Sequence, residues 1–269
     1  VQLGITQLRL TGGEPLLRSD LEDCIAELGQ LRQLGLERIS LTTNGTLLAR
    51  RAEALRQAGL DDINVSLDAL EPARFHALSG GRGAVEHVIE GIEAAQAVGL
   101  PTKINSVVVR DHNDDQILPL TRWACAHGLS LRFIEFMPLD GGGAWSKARV
   151  VPEAEILRHL RAHFAIEPVP RTHEPATYYA LDGQYRLGII STISNPFCGS
   201  CDRLRLTATG ELYSCLFSSR GRDLRSALRT GEDNAALEAI IRGHVWNKEA
   251  GYAASGYVER PISMHALGG

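Results

Sequence analysis

The chain has 269 residues, of which 22% are charged and 44% hydrophobic, and its formal net charge is −4. This length is enough for one large domain or for a domain with an appendage. The slightly acidic balance gives no basic field for bulk binding to nucleic acid or to a membrane surface, so any anion site must be local.

The N-terminal half alternates short apolar strands with amphipathic helices. Strands are predicted at 7–12, 38–43, 62–67, 103–109 and 131–137. Helices are predicted from about Ser19, where Ser19 and Glu22 form a capping box, and around 47–58, 83–98 and 114–127. Five strand-helix units in series predict a parallel sheet, either open and doubly wound or closed into a full or partial barrel. Periodicity alone does not choose between these architectures.

The pattern changes after Met137. A glycine-rich connection at 138–148 leads to a predicted helix at about 153–163. The later segments YRLGIIS and RLRLTATGELYSCLF are typical of antiparallel strands, with Thr209 and Gly210 at a turn. We therefore place a boundary near 140, with strand-helix units at 1–139 and a C-terminal α+β extension at 140–269.

Polar residues and glycines follow the carboxyl ends of the predicted strands, where parallel strand-helix folds collect their working residues. They are Arg9, Gly12, Gly13 and Glu14, then Thr42 and Asn44, then Ser66 and Asp68, and finally Glu135 and Met137. Each alone would serve as a turn or cap residue, but their recurrence at one edge favours a site. On the fourth strand Lys103 and Asn105 share one face, where a lysine is costly unless it meets an anion.

Three of the five cysteines, Cys198, Cys201 and Cys215, form a C-x2-C-x13-C pattern in the extension. A structural zinc site would need a fourth ligand, for which His173 and His244 are the candidates. Three thiolates also suit a 4Fe-4S cluster with one iron left open to an external ligand. The spacing leaves both alternatives open.

Two arginines, Arg203 and Arg205, lie two residues apart on a predicted strand between the second and third cysteines. Arginine pairs bind phosphate, although a solvated basic edge is the alternative. Cys24 and Cys125 lie within helical patterns and are interpreted as inert core thiols. With no apolar run of membrane-spanning length and no signal-peptide pattern, we expect a cytosolic protein in which clustered cysteines hold a metal or redox cofactor.

Several motifs together resemble a known family. TGGEP, TTNG, NVSLD, KIN, EFMP and NPFCGSCDRLRLT, followed by the third cysteine and a C-terminal Gly-Gly, occur in the order typical of the GTP 3′,8-cyclases of molybdenum cofactor biosynthesis. These are lyases of the radical S-adenosylmethionine (SAM) superfamily. The cysteine motif with its arginines is the specific part, since TGGEP alone indicates only the superfamily.

The resemblance implies an incomplete TIM-type (β/α)6 barrel with a C-terminal extension, and two 4Fe-4S clusters. In the family, the N-terminal cluster cleaves bound SAM to a 5′-deoxyadenosyl radical that takes the 3′ hydrogen of GTP. The ribose carbon then attacks C8 of guanine, and 3′,8-cyclo-7,8-dihydro-GTP forms. The open iron of the C-terminal cluster holds the guanine.

The resemblance also implies roles for single residues. Gly13, Ser66 and Met137 are expected to contact SAM, and GTP is expected to contact Arg9, Thr42, Lys103, Arg203 and Arg205. Cys198, Cys201 and Cys215 are expected to ligate the C-terminal cluster, and Gly268 and Gly269 resemble the family's tail. The implied partners are an electron donor, a downstream cyclic pyranopterin monophosphate synthase, and a second copy in a homodimer.

The chain departs from the family pattern at its start. It contains no C-x3-C-x2-C motif and five strand-helix units where the family has six, so we expect a fragment that lacks the first unit and its SAM-binding cluster. The main alternative to the enzyme is a zinc-stapled module that binds a nucleotide or nucleic acid.

Overall fold

The protein is described by a computed structural model that covers residues 1–139, 145–172, 174–218 and 220–248. Contacts within the chain divide it into two units. The first consists of Val1–Phe136 and Lys147–Asn195, and the second contains the described residues of 137–146 and 196–248. Among the described residues, no helix has the length and apolar character needed to cross a membrane.

The first unit is built on an eight-stranded sheet with the order β1-β2-β3-β4-β5-β8-β7-β6. Strands β1 to β5 pair parallel with one another and β8 pairs parallel with β5, whereas β7 is antiparallel to β8 and β6 is antiparallel to β7. The strands are β1 Gln7–Leu10, β2 Arg38–Thr43, β3 Asp62–Ser66, β4 Thr102–Val108, β5 Ser130–Glu135, β6 Ile166–Pro168, β7 Thr177–Leu181 and β8 Tyr185–Ile190.

One face of this sheet packs against helices and forms the hydrophobic core. The strand residues on this face are apolar, and along each strand they alternate with residues that point to the opposite face. Ile39, Leu41, Ile63, Val65 and Phe133 are fully buried among apolar helix residues. The helices of this unit are α1 Leu21–Gly29, α2 Ala52–Gln57, α3 Pro72–Leu78, α4 Val85–Ala97, α5 Ile117–Ala126 and α6 Glu153–Arg161.

The opposite face of the parallel strands carries mostly polar side chains, and we call it the polar face. Because residues paired in register on parallel strands point to the same side, its members follow from the pairing. They include Arg9, Arg38, Ser40, Thr42, Asp62, Asn64, Ser66, Lys103, Asn105, Arg132 and Arg186.

A buried carboxylate at the end of β5 ties three segments of the first unit together. Glu135 is fully buried, and its Oε1 accepts the backbone N–H of Glu153, the first residue of α6, at 2.9 Å. Its Oε2 accepts the N–H groups of Ile193 and Ser194, each at 2.8 Å, and the Ser194 hydroxyl donates to Oε1. The end of β5, the start of α6 and residues 193–194 are therefore joined at one point within the first unit.

The second unit contains a three-stranded antiparallel sheet with the order β11-β10-β9 and two helices. Its elements are β9 Arg205–Leu206, β10 Glu211–Tyr213, β11 Arg222–Asp223, α7 Arg225–Arg229 and α8 Asn234–Trp246. Gly210 occupies the predicted turn between β9 and β10 at φ 83°, and a Cβ there would lie 2.6 Å from that of Arg225. Only glycine fits both the backbone and the space.

The five predicted N-terminal strands are confirmed, but two predicted helix features are wrong. Helix α1 begins at Leu21 after Asp20, with no side-chain cap, because the Glu22 carboxylate binds the Arg51 guanidinium instead of a backbone N–H. The helix predicted at 47–58 is a 3-10 turn at Leu48–Arg50 followed by α2, with the break at Arg51.

The segment YRLGIIS forms a strand with an antiparallel neighbour, as predicted, but its second neighbour is parallel. It forms β8, which is antiparallel to β7 but parallel to β5, so it extends the main sheet as a sixth parallel strand. Contacts place β6 to β8 and α6 in the first unit, whereas the sequence-based boundary near 140 assigns them to the extension.

The Glu135 network leads to a stability prediction. Glu135→Ala would leave the backbone N–H groups of Glu153, Ile193 and Ser194 without their charged acceptor, so we expect a loss of roughly 1.5 to 3 kcal/mol. Glu135→Gln should also lower the free energy of unfolding, because the glutamine NH2 would face the N–H groups that donate to Glu135. Urea unfolding measures both, with the exposed Glu53→Ala as the control, expected within about 0.5 kcal/mol of wild type. A loss below 1 kcal/mol for both Glu135 variants would contradict the assignment.

Candidate functional site

The polar face concentrates positive charge. The six parallel strands place five cationic side chains on it and one carboxylate, that of Asp62. The carboxylate is buried and its Oδ2 lies 2.5 Å from Nε of Arg38, so its charge is neutralised locally. The cations are Arg9, Arg38, Lys103, Arg132 and Arg186. The remaining positive charge favours an anionic ligand.

Arg132 spans three neighbouring strands of the polar face. Its Nε donates to Oδ1 of Asn105 on β4 at 2.9 Å, and its Nη2 donates to Oδ1 of Asn64 on β3. The guanidinium is buried beside Gly188, where a Cβ would lie 2.8 Å from Cγ of Arg132, so a larger residue on β8 would displace it. Sequence reasoning missed this residue, although an arginine inside the apolar strand LRFIEF is itself a signal.

Lys103 lies next to this arrangement, paired in register with Asn64. Burial lowers the pKa of its ammonium group, and the positive charge of Arg132 lowers it further, while Asp62 acts in the opposite direction. The structure therefore brings the predicted Lys103 and Asn105 together on one face, as expected. A cation held among cations is stabilised when an anion binds.

The loops after β1 and β2 meet, as predicted. Glu14 of TGGEP accepts the Thr43 hydroxyl at 2.6 Å through Oε1 and the Asn44 N–H at 2.8 Å through Oε2. Gly13 is exposed beside this contact, and Thr42 lies half-buried on the polar face. Glu14 therefore joins the two loops and leaves the adjacent glycine backbone open to a ligand.

The ends of β3 and β4 are joined by a second network. Asp68 accepts the N–H of Val107 at 2.7 Å, and Nδ2 of Asn113 donates to the backbone oxygens of Asp68 and Val107, each at 2.8 Å. Oδ1 of Asn113 accepts the Val109 N–H at 2.7 Å. The loop that follows the exposed Ser66 is thereby fixed to the neighbouring strand.

In the second unit, the β9–β10 hairpin carries the cysteine pattern. Cys198 opens a 3-10 turn, and the N–H of Cys201 donates to the Cys198 carbonyl at 3.3 Å. Arg205 pairs with Tyr213, so the hairpin register directs Cys215, two residues beyond Tyr213, back along the stretch that contains Cys201. All three thiols are free and half-buried.

Cations surround these thiols. Burial raises the pKa of Cys201, but the N–H and guanidinium of Arg203 and the charge of Lys248 outweigh it, so the pKa lies below its ordinary value. Lys248 Nζ also donates to the Cys201 carbonyl at 2.5 Å. The Arg203 guanidinium lies 5.0 Å from the centre of the Phe197 ring. A lowered pKa favours the thiolate, which is the form that binds iron.

Arg205 is the second cation of the motif. Burial and the positive charge of Arg203 together lower the pKa of its guanidinium to about 10, against the opposing charges of Cys201 and Cys215. Its Nε is buried without a hydrogen-bond partner. An orphaned buried donor beside thiols indicates a place for an anionic group.

Cys198, Cys201 and Cys215 are the predicted thiol donors, and His244, one candidate for a fourth zinc ligand, has a buried Nε2 without a hydrogen-bond partner. The described residues contain no group of three His, Cys, Asp or Glu placed to hold one metal ion. Cluster thiolates bind separate irons and need not converge on one point. His173, a candidate fourth ligand, lies outside the described residues, as do Gly268 and Gly269.

The interpretation of both other cysteines as core thiols is wrong for Cys125, which is exposed, and only partly right for Cys24, which is half-buried. Cys125 lies on α5, whose buried residues are Ile117, Leu120, Thr121 and Ala124, so its side chain falls on the outer side of the helix. The helical pattern in the sequence did not show that Cys125 lies on the outer side of α5.

Comparison with known proteins identifies the family. The radical SAM superfamily profile matches residues 1–124 and the Molybdenum Cofactor Synthesis C profile matches residues 129–254. The chain is 45% identical to the GTP 3′,8-cyclase of Xanthomonas campestris pv. campestris (strain B100), over 100% of this chain and 80% of that protein. The chain belongs to the GTP 3′,8-cyclase family. It is also 42% identical to GTP 3′,8-cyclase 2 of Mycobacterium tuberculosis (strain H37Rv), over 100% of this chain and 76% of that protein.

Solved structures share the fold of this family member at low sequence identity. Streptococcus suis SuiB bound to S-adenosylmethionine matches with a TM-score of 0.56 and 12% identity, over 89% of this chain and 57% of that one. Native anSMEcpe with bound AdoMet and Cp18Cys peptide matches with a TM-score of 0.50 and 18% identity, over 86% and 68%. Both support a mostly parallel α/β sheet of the radical SAM type.

The Asp68 network gives a prediction for pH dependence in this cyclase family member. Burial raises the pKa of Asp68 from 3.8 to about 6, against the opposing hydrogen bond from Val107. Between these values the unfolded carboxyl ionises before the folded one, so Asp68 reduces stability as pH rises from about 4 to 6. Asp68→Asn keeps an oxygen for the Val107 N–H and cannot ionise.

We therefore expect Asp68→Asn to gain stability relative to wild type as pH rises through this window, with the full gain retained above pH 6. Urea unfolding of both proteins at several values from about pH 4 to 7.5 measures the difference. A difference that stays constant with pH would show that Asp68 does not titrate there.

Proposed function

We propose that the chain is the substrate-binding part of a GTP 3′,8-cyclase, which converts GTP to 3′,8-cyclo-7,8-dihydro-GTP in the first step of molybdenum cofactor biosynthesis. The cluster that cleaves SAM needs a C-x3-C-x2-C motif, which this sequence does not contain, so we expect no cyclisation by this chain alone. The observation that carries the proposal is the C-terminal motif, in which Cys198, Cys201 and Cys215 flank Arg203 and Arg205, and Arg205 keeps a buried donor without a partner. The name of the relatives, GTP 3′,8-cyclase, supplies the reaction.

The reaction removes the hydrogen at C3′, joins C3′ to C8 of guanine, and adds one electron and one proton at the base. When bound and reduced, an iron-sulfur cluster with SAM supplies the radical that removes the hydrogen atom. The electrons require a low-potential donor, whose identity stays open. The residues of this chain would bind, orient and shield the substrate during these steps.

We propose ligand contacts for each unit taken by itself. In the first, Arg9, Thr42 and Lys103 would contact GTP and Gly13 and Ser66 would contact SAM. In the second, Arg203 and Arg205 would bind phosphate, Met137 would contact SAM, and the cysteines would hold a 4Fe-4S cluster. The open iron would take the guanine as its fourth ligand, which explains a donor set of three.

The finer architecture is also a proposal. We infer that the sheet is an incomplete TIM-type barrel, because six parallel strands follow in sheet order with helices on one face and polar groups on the other. A homodimer, the second cluster, a cytosolic location and transfer of the product to cyclic pyranopterin monophosphate synthase stay predictions.

Cluster assembly tests the metal assignment. Anaerobic reconstitution of the chain should give one 4Fe-4S cluster, about four irons per chain, with the absorbance of iron-sulfur charge transfer. Cys198→Ala, Cys201→Ala and Cys215→Ala should each lose it. The exposed Cys125→Ala is the matched control and should retain it. Stoichiometric zinc without that absorbance would favour the zinc-stapled binding module instead.

Nucleotide affinity tests the arginine pair. Arg203→Ala or Arg205→Ala should weaken GTP by roughly 1.5 to 3 kcal/mol, the cost of a lost charge-assisted contact, and weaken guanosine much less. Isothermal titration calorimetry of the reconstituted chain measures both ligands. Arg222→Ala, an exposed arginine of β11 in the same small sheet, is the control. Equal losses for GTP and guanosine would show that neither arginine touches the triphosphate.

A further inference from the structure

Asn64, in the middle of β3, has a buried hydrogen-bond donor that no protein group satisfies. The side chain is fully buried, its Oδ1 accepts from Arg132, and its Nδ2 has no partner. A guanidinium can only donate, so a flipped Asn64 amide would place its NH2 group against the donating Arg132. Arg132 therefore fixes which atom is left unpaired, and it is the donor.

The surroundings of Nδ2 define what would satisfy it. Asn64 is paired in register with Thr42 and Lys103 on the polar face and is held by Arg132, so two of these three neighbours are cations. Asp62 lies two residues away along the strand, about 6.6 Å at the usual rise. Its Oδ2 is held by Arg38, and its Oδ1 makes no hydrogen bond. A bound acceptor with negative charge would meet both the unpaired donor and the cations.

We propose that Nδ2 of Asn64 donates a hydrogen bond to a phosphoryl oxygen of the substrate. Lys103 supplies the countercharge, and Arg132 acts as a positioning residue that holds the amide with its NH2 toward the ligand. The identity of the phosphate as part of GTP rests on the proposed function. The existence of a polyphosphate site rests on the polar face alone.

Ser106 is a matched control on the neighbouring strand. Its Oγ is also buried and without a partner, but Ser106 pairs in register with Phe133, on the helix-covered face of the sheet. An unpaired hydroxyl on that face has no access to a ligand on the polar face. Comparing the two positions separates a ligand donor from a tolerated buried polar group.

The experiment compares Asn64→Asp, Asn64→Ala and Ser106→Ala with wild type for binding GTP, inorganic tripolyphosphate and guanosine by isothermal titration calorimetry. Asn64→Asp keeps an oxygen for Arg132, so we expect a similar thermal midpoint, but it replaces the donor by a negative charge. Both polyphosphate ligands should bind about 100-fold more weakly to Asn64→Asp and about tenfold more weakly to Asn64→Ala. Guanosine should change less than about twofold, and Ser106→Ala should bind all three like wild type.

Each other outcome is decisive. If GTP binds and both Asn64 variants bind it like wild type, the proposal fails while the proposed function stands. If guanosine weakens as much as GTP, Asn64 does not act on phosphate. If wild type binds tripolyphosphate but not GTP, and the Asn64 variants lose tripolyphosphate, the proposal stands and the proposed function fails. If Asn64→Asp does not fold, binding by Asn64→Ala tests the proposal instead. If wild type binds neither GTP nor tripolyphosphate, both the proposal and the proposed function fail.

Discussion

In-register pairing of the parallel strands is the constraint on which the first unit depends. Because β2 to β5 pair without a slip, every second residue of each strand lies on the same side of the sheet. Apolar residues fill the side that the helices cover, and Arg38, Asn64, Lys103, Asn105 and Arg132 are all placed on the other. A slip of one residue would bury these charges against the helices and expose Ile63 and Leu131.

The cations of the polar face repel one another, and a bound anion would offset this electrostatic cost. Cations on one half-buried face raise each other's energy, and the Asp62 carboxylate pairs with Arg38. The two asparagines hold Arg132 without adding negative charge, so the positive potential remains available. A polyphosphate is the type of ligand that such a surface recognises, which agrees with membership of the GTP 3′,8-cyclase family.

The second unit meets a different requirement with a short hairpin. The proposed cluster would need three thiols near one another, with the two arginines between them. A tight turn at Gly210 and the pairing of Arg205 with Tyr213 bring the third cysteine back toward the first two. Lys248, at the C-terminal side of α8, binds the carbonyl of Cys201 and steadies the stretch that carries Arg203. The charges of Arg203 and Lys248 then favour the thiolate form of Cys201.

The sequence by itself determined the series of strands, the cysteine motif and the family, because alternation, glycine turns and ligand spacing are local patterns. It also predicted that Lys103 and Asn105 share a face, since residues two apart on a strand must. The sequence did not predict the helix break at Arg51 or the exposure of Cys125, because packing against residues distant in the chain decides both. Only the tertiary structure decided the roles of Asn64, Arg132 and Glu135. Their contacts join residues 68 and 58 positions apart, and strand order and register, which no local pattern encodes, bring those residues together.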